Sequence, residues 1–263
     1  MTEIPKSHPR YTSLMTRERI AEGVRNGITS VQGLIAQGRG EAFDYILGER
    51  TMISADRATL AAAAALLIAK RPAISVNGNV AALVPGEMVE LASLLNAPLE
   101  VNLFHRSEER VRRIADLLRS HGARLVLGEN PDCRIPGLEH SRALATRGGI
   151  YDADAVLIPL EDGDRCEALV GMGKTVIAVD LNPLSRTSMR ASITIVDNIT
   201  RAVPNLTRKI SSLSGSTTEY LQAVLMDYSN RDTLRDALLE MREYITARMN
   251  ELDGAQGSAG KRI

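Results

Sequence analysis

Through its middle, the chain alternates short apolar runs with longer amphipathic stretches. The short runs are Ala73–Asn77, Leu99–Phe104, Arg124–Leu127, Ala155–Leu160, Thr175–Leu181 and Ser192–Val196. Runs that stay apolar over so few residues predict strands buried on both faces, as in a parallel sheet. Between them, Gly86–Asn96 carries Met88, Leu91, Ala92 and Leu95 on one helical face. A second helix, capped by Ser107 and ended by Gly122, carries Val111, Ile114, Ala115 and Leu118. Strands alternating with helices of this length predict crossover units. The expected fold is α/β, a mostly parallel sheet with helices on both faces.

The flanks read as helical. Thr16–Asn26, with Thr16 as cap, Gly33–Leu47, and Ser54–Lys70, capped by Ser54 and Asp56, precede the sheet. Pro5 and Pro9 interrupt Ile4–Tyr11, which predicts an extended arm. Gly38 and Gly40 weaken their helix by roughly 1 kcal/mol each relative to alanine. Close approach to a ligand or another helix would explain them, and makes Arg39 a candidate contact. Beyond the sheet, a helix from about Asn198 leads to a helical tail, Thr218–Asn250. Its stripe of Leu234, Leu238, Met241 and Ile245 suits self-association or packing on its own domain. The small residues of Asp253–Gly260 predict disorder. The expected division is residues 1–72 as arm and helices, 73–210 as core, 211–252 as helical tail and 253–263 as disordered tail.

Charge and composition narrow the partners. Lys plus Arg and Asp plus Glu are each 32, and a formally neutral chain is a poor polyanion binder. Two Phe, six Tyr and no Trp leave few stacking platforms, so no nucleic-acid partner is expected. Cys133 and Cys166 form no C-x-x-C pair and lack metal-ligand spacing, which suits reduced structural thiols. No apolar core follows the N-terminus, and the longest apolar run, Leu60–Ala69, is too short for a bilayer span. A cytoplasmic protein without a membrane partner is expected.

Candidate chemistry gathers behind two strands. Ala155–Leu160 ends in Glu161-Asp162-Gly163-Asp164-Arg165, and Thr175–Leu181 in Asn182-Pro183-Leu184-Ser185-Arg186-Thr187. Ligands of open α/β sheets bind outside the carboxyl ends of the strands. Asp180 suits ribose hydroxyls, and Arg186 and Thr187 suit phosphates. Glu161, Asp162, Asp164 and Glu167 either hold Mg²⁺ through oxygens or cap a helix. Asn77-Gly78-Asn79 after a strand offers N–H groups to an anion. Lys6, His8 and Arg10 give the arm a phosphate-friendly composition. Ala168–Thr175 almost spells a phosphate loop, but Ala168 replaces its first glycine and a strand follows it, so Gly171 and Gly173 read as a helix stop. No G-x-G-x-x-G follows a strand, which disfavours a nicotinamide oxidoreductase and a dinucleotide fold of the usual type. The residues thus describe an α/β enzyme with an anionic, nucleotide-like ligand; the alternative is a non-catalytic nucleotide sensor.

Five blocks narrow this further: Ile4–Tyr11, Gly33–Tyr45, Ile74–Leu83, Val156–Arg165 and Asp180–Thr187. In order and in detail they closely resemble the archaeal phosphopantothenate synthetase family, over about Ile4 to Asn205. The resemblance implies a homodimer with a Rossmann-like core, acting in coenzyme A biosynthesis. It implies joining of 4-phosphopantoate to β-alanine with ATP and Mg²⁺, releasing AMP and diphosphate. Positions matching the family's ATP contacts are Arg17, Arg39, Asp180, Leu181, Asn182, Arg186, Thr187, Asn198 and Ile199. Arg39 and Arg186 are the expected catalytic cations. Lys6, His8, Arg10, Asn77 and Asn79 are the expected substrate contacts.

Overall fold

The protein is described by a computed structural model covering residues 4–259. Helices α1 (Tyr11–Arg25), α2 (Val31–Leu47) and α3 (Ile53–Ile68) precede strand β1 (Pro72–Val76). Then come α4 (Gly78–Leu83), α5 (Pro85–Leu95), β2 (Leu99–Val101), α6 (Glu108–Ser120) and β3 (Val126–Leu127). A small antiparallel pair, β4 (Cys133–Arg134) and β5 (Leu144–Ala145), follows. The second half runs β6 (Ala155–Pro159), α7 (Gly163–Gly171), β7 (Thr175–Val179), α8 (Arg186–Arg190) and β8 (Ile193–Ile195). Helices α9 (Ile199–Leu213), α10 (Thr218–Met226) and α11 (Asn230–Ala259) complete the described chain.

The main sheet has the order β3-β2-β1-β6-β7-β8, and every pair in it is parallel. Numbered along the chain within that sheet, the order is 3-2-1-4-5-6, the doubly wound order of dinucleotide-binding folds. The missing glycine fingerprint therefore reflects a different first turn, while the topology is the familiar one. Alternation divides the core cleanly. Ile74, Leu157, Ile177 and Val179 face α3, α5 and α9, whereas Ala73, Val156, Val176 and Ala178 face α7 and the loop carrying Ile135 and Ile150. Adjacent strands depart in opposite directions from β1 and β6, leaving a crevice above their carboxyl ends.

Several local expectations change. The arm is not extended: His8 N–H donates to Pro5 O and Tyr11 N–H to His8 O, each at 2.9 Å, making two turns. Proline's fixed φ suits turn positions as well as extended ones. Helix α1 begins at Tyr11, so Thr16 is no cap; its hydroxyl donates within the helix to Thr12 O at 2.9 Å. Ser54 and Asp56 do not cap α3 either. The amides of Ile53 and Ser54 donate to Glu240 of α11, each at 2.9 Å. Because this carboxylate caps the helix from afar, Glu240→Ala should cost about 1–2 kcal/mol of stability, read from urea unfolding. Finally, α11 continues through residues 253–259, where composition predicts disorder; extending an existing helix needs no new nucleus. Residues 260–263 of that stretch lie outside the described residues.

Candidate active site

A cavity of about 670 Å³ occupies the crevice at the carboxyl ends of β1, β6 and β7, with α2 as its outer wall. Strand β1 ends in Asn77, whose side chain works in both directions. Its Oδ1 accepts from the Asn79 and Val80 amides at 3.0 and 3.1 Å, capping α4. Its Nδ2 donates to Pro159 O and Leu160 O at 3.1 and 3.0 Å, stitching β1 to β6 across the switch point. Of the amides expected to receive an anion, that of Asn79 is thus taken by Asn77 itself. Asn79 ties down α2: its Nδ2 donates to Gly33 O at 2.9 Å and its Oδ1 accepts from the Thr29 hydroxyl.

Strand β6 turns sharply at Leu160, which holds a left-handed φ of 52°. A non-glycine residue there is strained by roughly 1–3 kcal/mol, and such strain clusters at functional sites. Glu161 follows, wholly buried between two guanidiniums: Arg142 Nη2 lies 2.7 Å from Oε1 and Arg165 Nη1 2.6 Å from Oε2. Burial pushes its carboxyl up, but the two arginines and the Asp162 amide together hold it below the usual range. Asp162 caps α7 by accepting from the Arg165 amide at 3.0 Å. Asp164 and Glu167 turn outward to Arg186, at 2.6 and 3.2 Å. The four acids therefore do not converge as Mg²⁺ ligands. Capping and ion pairing account for all of them.

At the end of β7, Asp180 Oδ1 accepts from the Asn182 amide at 2.9 Å and Oδ2 from the Ser185 hydroxyl at 2.5 Å. Burial raises its carboxyl, and these bonds and Arg39 offset that only in part. Ser185 caps α8, so Arg186 projects from the first turn beside the cavity, largely exposed. A Cβ on Gly163 would lie 2.5 Å from Arg186 Cβ, so this glycine lets α7 and α8 approach. Thr187 is buried and its hydroxyl donates to Glu161 O at 2.8 Å; it joins the two loops. Gly40 borders the cavity with only Leu181 nearby, at 3.5 Å, whereas a Cβ on Gly38 would meet nothing within 4 Å. Among the described residues, no other helix comes within 4 Å of a Cβ placed on either glycine.

The cavity thus collects Arg39, Asn77, Asn79, Asp180, Leu181, Asn182, Arg186 and Thr187. It does not collect the rest. Arg17 binds Glu41 and Tyr45, Arg10 donates to the Tyr45 hydroxyl at 3.3 Å, and His8 Nδ1 accepts from the Arg10 amide at 3.0 Å. Arg17, Arg10 and His8 thus lie along or just before α1, on the side that meets Glu41 and Tyr45 of α2, and Lys6 is exposed. Asn198 caps α9 and donates to Asp44 at 2.8 Å, while Ile199 is buried in the core. Asn198 thereby joins an ion-pair network at the far end of α2, where Arg201 meets Asp44 and Asp197.

Arg110 and Arg142 also border the cavity. Neither stands out in the sequence: Arg110 resembles any charged residue on an exposed helical turn, and Arg142 sits in an irregular loop. Chemically, the site offers separate cations for a ligand with several anionic groups. It holds no activated thiol. Cys166 is buried, its thiol pushed up to about 12 by burial and, next, by Glu161.

A family model described as phosphopantothenate/pantothenate synthetase matches residues 54–244. The chain is 57% identical over 247 residues to the 4-phosphopantoate–β-alanine ligase of Thermococcus kodakarensis, covering 94% of this chain and 95% of that one. It is 56% identical over 245 residues to the ligase of the same name from Methanosarcina mazei, covering 93% and 96%. With that from Methanospirillum hungatei it shares 49% over 251 residues, covering 95% and 100%.

Proposed function

The chain belongs to the phosphopantothenate/pantothenate synthetase family, and from that premise we propose that it joins 4-phosphopantoate to β-alanine at the expense of ATP, in coenzyme A biosynthesis. The observation that carries this reading is identity spread along almost the whole chain to relatives that share one ligase name. The protein works in the cytoplasm as a homodimer; exposed Val31, Leu34 and Ile35 on α2 provide apolar surface for a second copy. Light scattering at twice the chain mass would agree, and a monomer would not.

A carboxylate is a poor electrophile, so ATP first activates it as an acyl-adenylate. The β-alanine amine then displaces AMP. Asp180, at the carboxyl end of β7, holds the ribose hydroxyls. Arg39 and Arg186 approach the phosphates, where charge accumulates as diphosphate leaves. Mg²⁺ would be held chiefly by the ATP phosphates and would supply neutralisation of their charge, since the neighbouring carboxylates are engaged with arginines and amides. No protein nucleophile is required.

Two outcomes test this assignment. Labelled diphosphate should exchange into ATP when 4-phosphopantoate is present and β-alanine absent; no exchange would contradict the adenylate. Asp180→Asn should raise KM for ATP on the order of tenfold, the worth of one hydrogen bond to a charged group, with little change in kcat. A kcat loss at unchanged KM would remove Asp180 from the ribose.

A further inference from the structure

The second half of the proposed reaction needs something the nucleotide site does not supply. β-Alanine arrives at neutral pH as an ammonium, and the cations around the phosphates repel it. Its nitrogen carries three protons and keeps one in the amide. A carboxylate beside the reacting carbonyl answers both needs, by attracting the ammonium and by taking a proton.

Among the described residues, the carboxylates lining the cavity are Glu161, Asp162 and Asp180. Glu161 is closed off. Its side chain is wholly buried, with Oε1 on Arg142 and the Asp162 amide and Oε2 on Arg165. Asp180 has both oxygens bonded, and its place is with the ribose. Asp162 differs. Its Oδ1 accepts from the Arg165 amide at 3.0 Å, which leaves the second lone pair of that oxygen open. Its Oδ2 lies 2.9 Å from Arg142 Nε, but the two are not aligned as a hydrogen bond, and neither atom has another partner. The side chain is 31% exposed where it lines the cavity. Of the three, it is the carboxylate with acceptor capacity left over.

Its position suits the chemistry. Strand β6 runs between β1 and β7, so the loop after β6 lies in the middle of the crevice. Gly163, the next residue, is packed so closely on Arg186 that a Cβ there would lie 2.5 Å from Arg186 Cβ. Asp162 therefore stands beside the cation assigned to the phosphates, where the acid's carboxylate meets the α-phosphorus and the resulting carbonyl meets the amine. We propose that Asp162 is a catalytic residue of the amide-forming step, drawing in the β-alanine ammonium and then accepting a proton from its nitrogen. This role rests on the ligase reading. One proton leaves the ammonium for water before attack. The nitrogen lone pair then forms the C–N bond, the carbonyl C–O bond to AMP breaks, and its electron pair leaves on the AMP phosphate. The second proton passes from nitrogen to Asp162, which returns it to water.

Helix capping is the opposing account, and asparagine and serine separate the two. Both cap helices about as well as aspartate, and neither carries a charge. If Asp162 only caps α7, Asp162→Asn and Asp162→Ser ligate at the wild-type rate. For an amine-binding Asp162, each variant should keep its melting temperature and lose about 10²-fold in kcat/KM for β-alanine, the low end for a lost proton acceptor. KM for ATP and 4-phosphopantoate should hold, as should exchange of labelled diphosphate into ATP without β-alanine. If one variant misfolds, the other decides. An undiminished kcat/KM for β-alanine would overturn the role and leave the ligase reading standing. So would exchange that falls in step with ligation, since it places Asp162 in activation. If product forms without exchange, the split between the β-alanine and ATP constants decides alone. A wild type that makes no 4′-phosphopantothenate overturns the ligase reading and this role with it.

Discussion

Arg186→Ala should lower kcat by about 10²–10³-fold, the loss seen when one donor to a developing oxyanion is removed. The melting temperature should hardly move. The arginine and its partners, Asp164 and Glu167, are all exposed, and exposed pairs contribute little to stability. Its backbone is fixed by the Ser185 cap and by contact with Gly163, so truncation removes the cation without loosening α8. Arg186→Lys should recover only part of the rate, because an ammonium cannot span two phosphate oxygens. Steady-state kinetics beside a thermal melt checks both halves. A full-rate Arg186→Ala would leave that guanidinium a surface ion pair.

Glu161→Ala should be the most damaging single substitution for stability, at about 3–5 kcal/mol, because it leaves two buried guanidiniums without their shared carboxylate. Urea unfolding measures it, and a loss below about 1 kcal/mol would show that the arginines find other partners. The pH dependence has a defined sign. Glu161 has a folded-state pKa held below its unfolded value, so its contribution is present above the unfolded carboxyl range and fades as pH falls through the folded value. Asp180 and Asp197 are shifted upward by burial, so each favours the folded state at low pH and loses that contribution as pH rises through its folded value. Removing Glu161 should therefore flatten the acid limb of the stability profile.

Much of the architecture is local and could be read from the chain. Short apolar runs became the parallel strands, and Ser107, Asp162 and Asn198 cap their helices with their own side chains. Asp180, Asn182 and Arg186 could be placed beside the cavity for the same reason: they lie in the loop and first helical turn after β7. Features that depend on distant partners were not. Glu240 caps α3 across 186 and 187 residues of chain, and Arg142 reaches Glu161 from a loop with no periodic signal. Asn77 could be placed at a strand end, but not its use of both amide groups inside the protein. The turns of the arm were hidden because proline restricts φ without choosing between turn and extended chain.

The central claim is tested most directly by identifying products. The full chain, incubated with ATP, Mg²⁺, 4-phosphopantoate and β-alanine, should yield 4′-phosphopantothenate, AMP and diphosphate in equal amounts. ADP and phosphate as the products would contradict the adenylate route, and ATP left intact beside both unreacted acids would contradict the ligase itself.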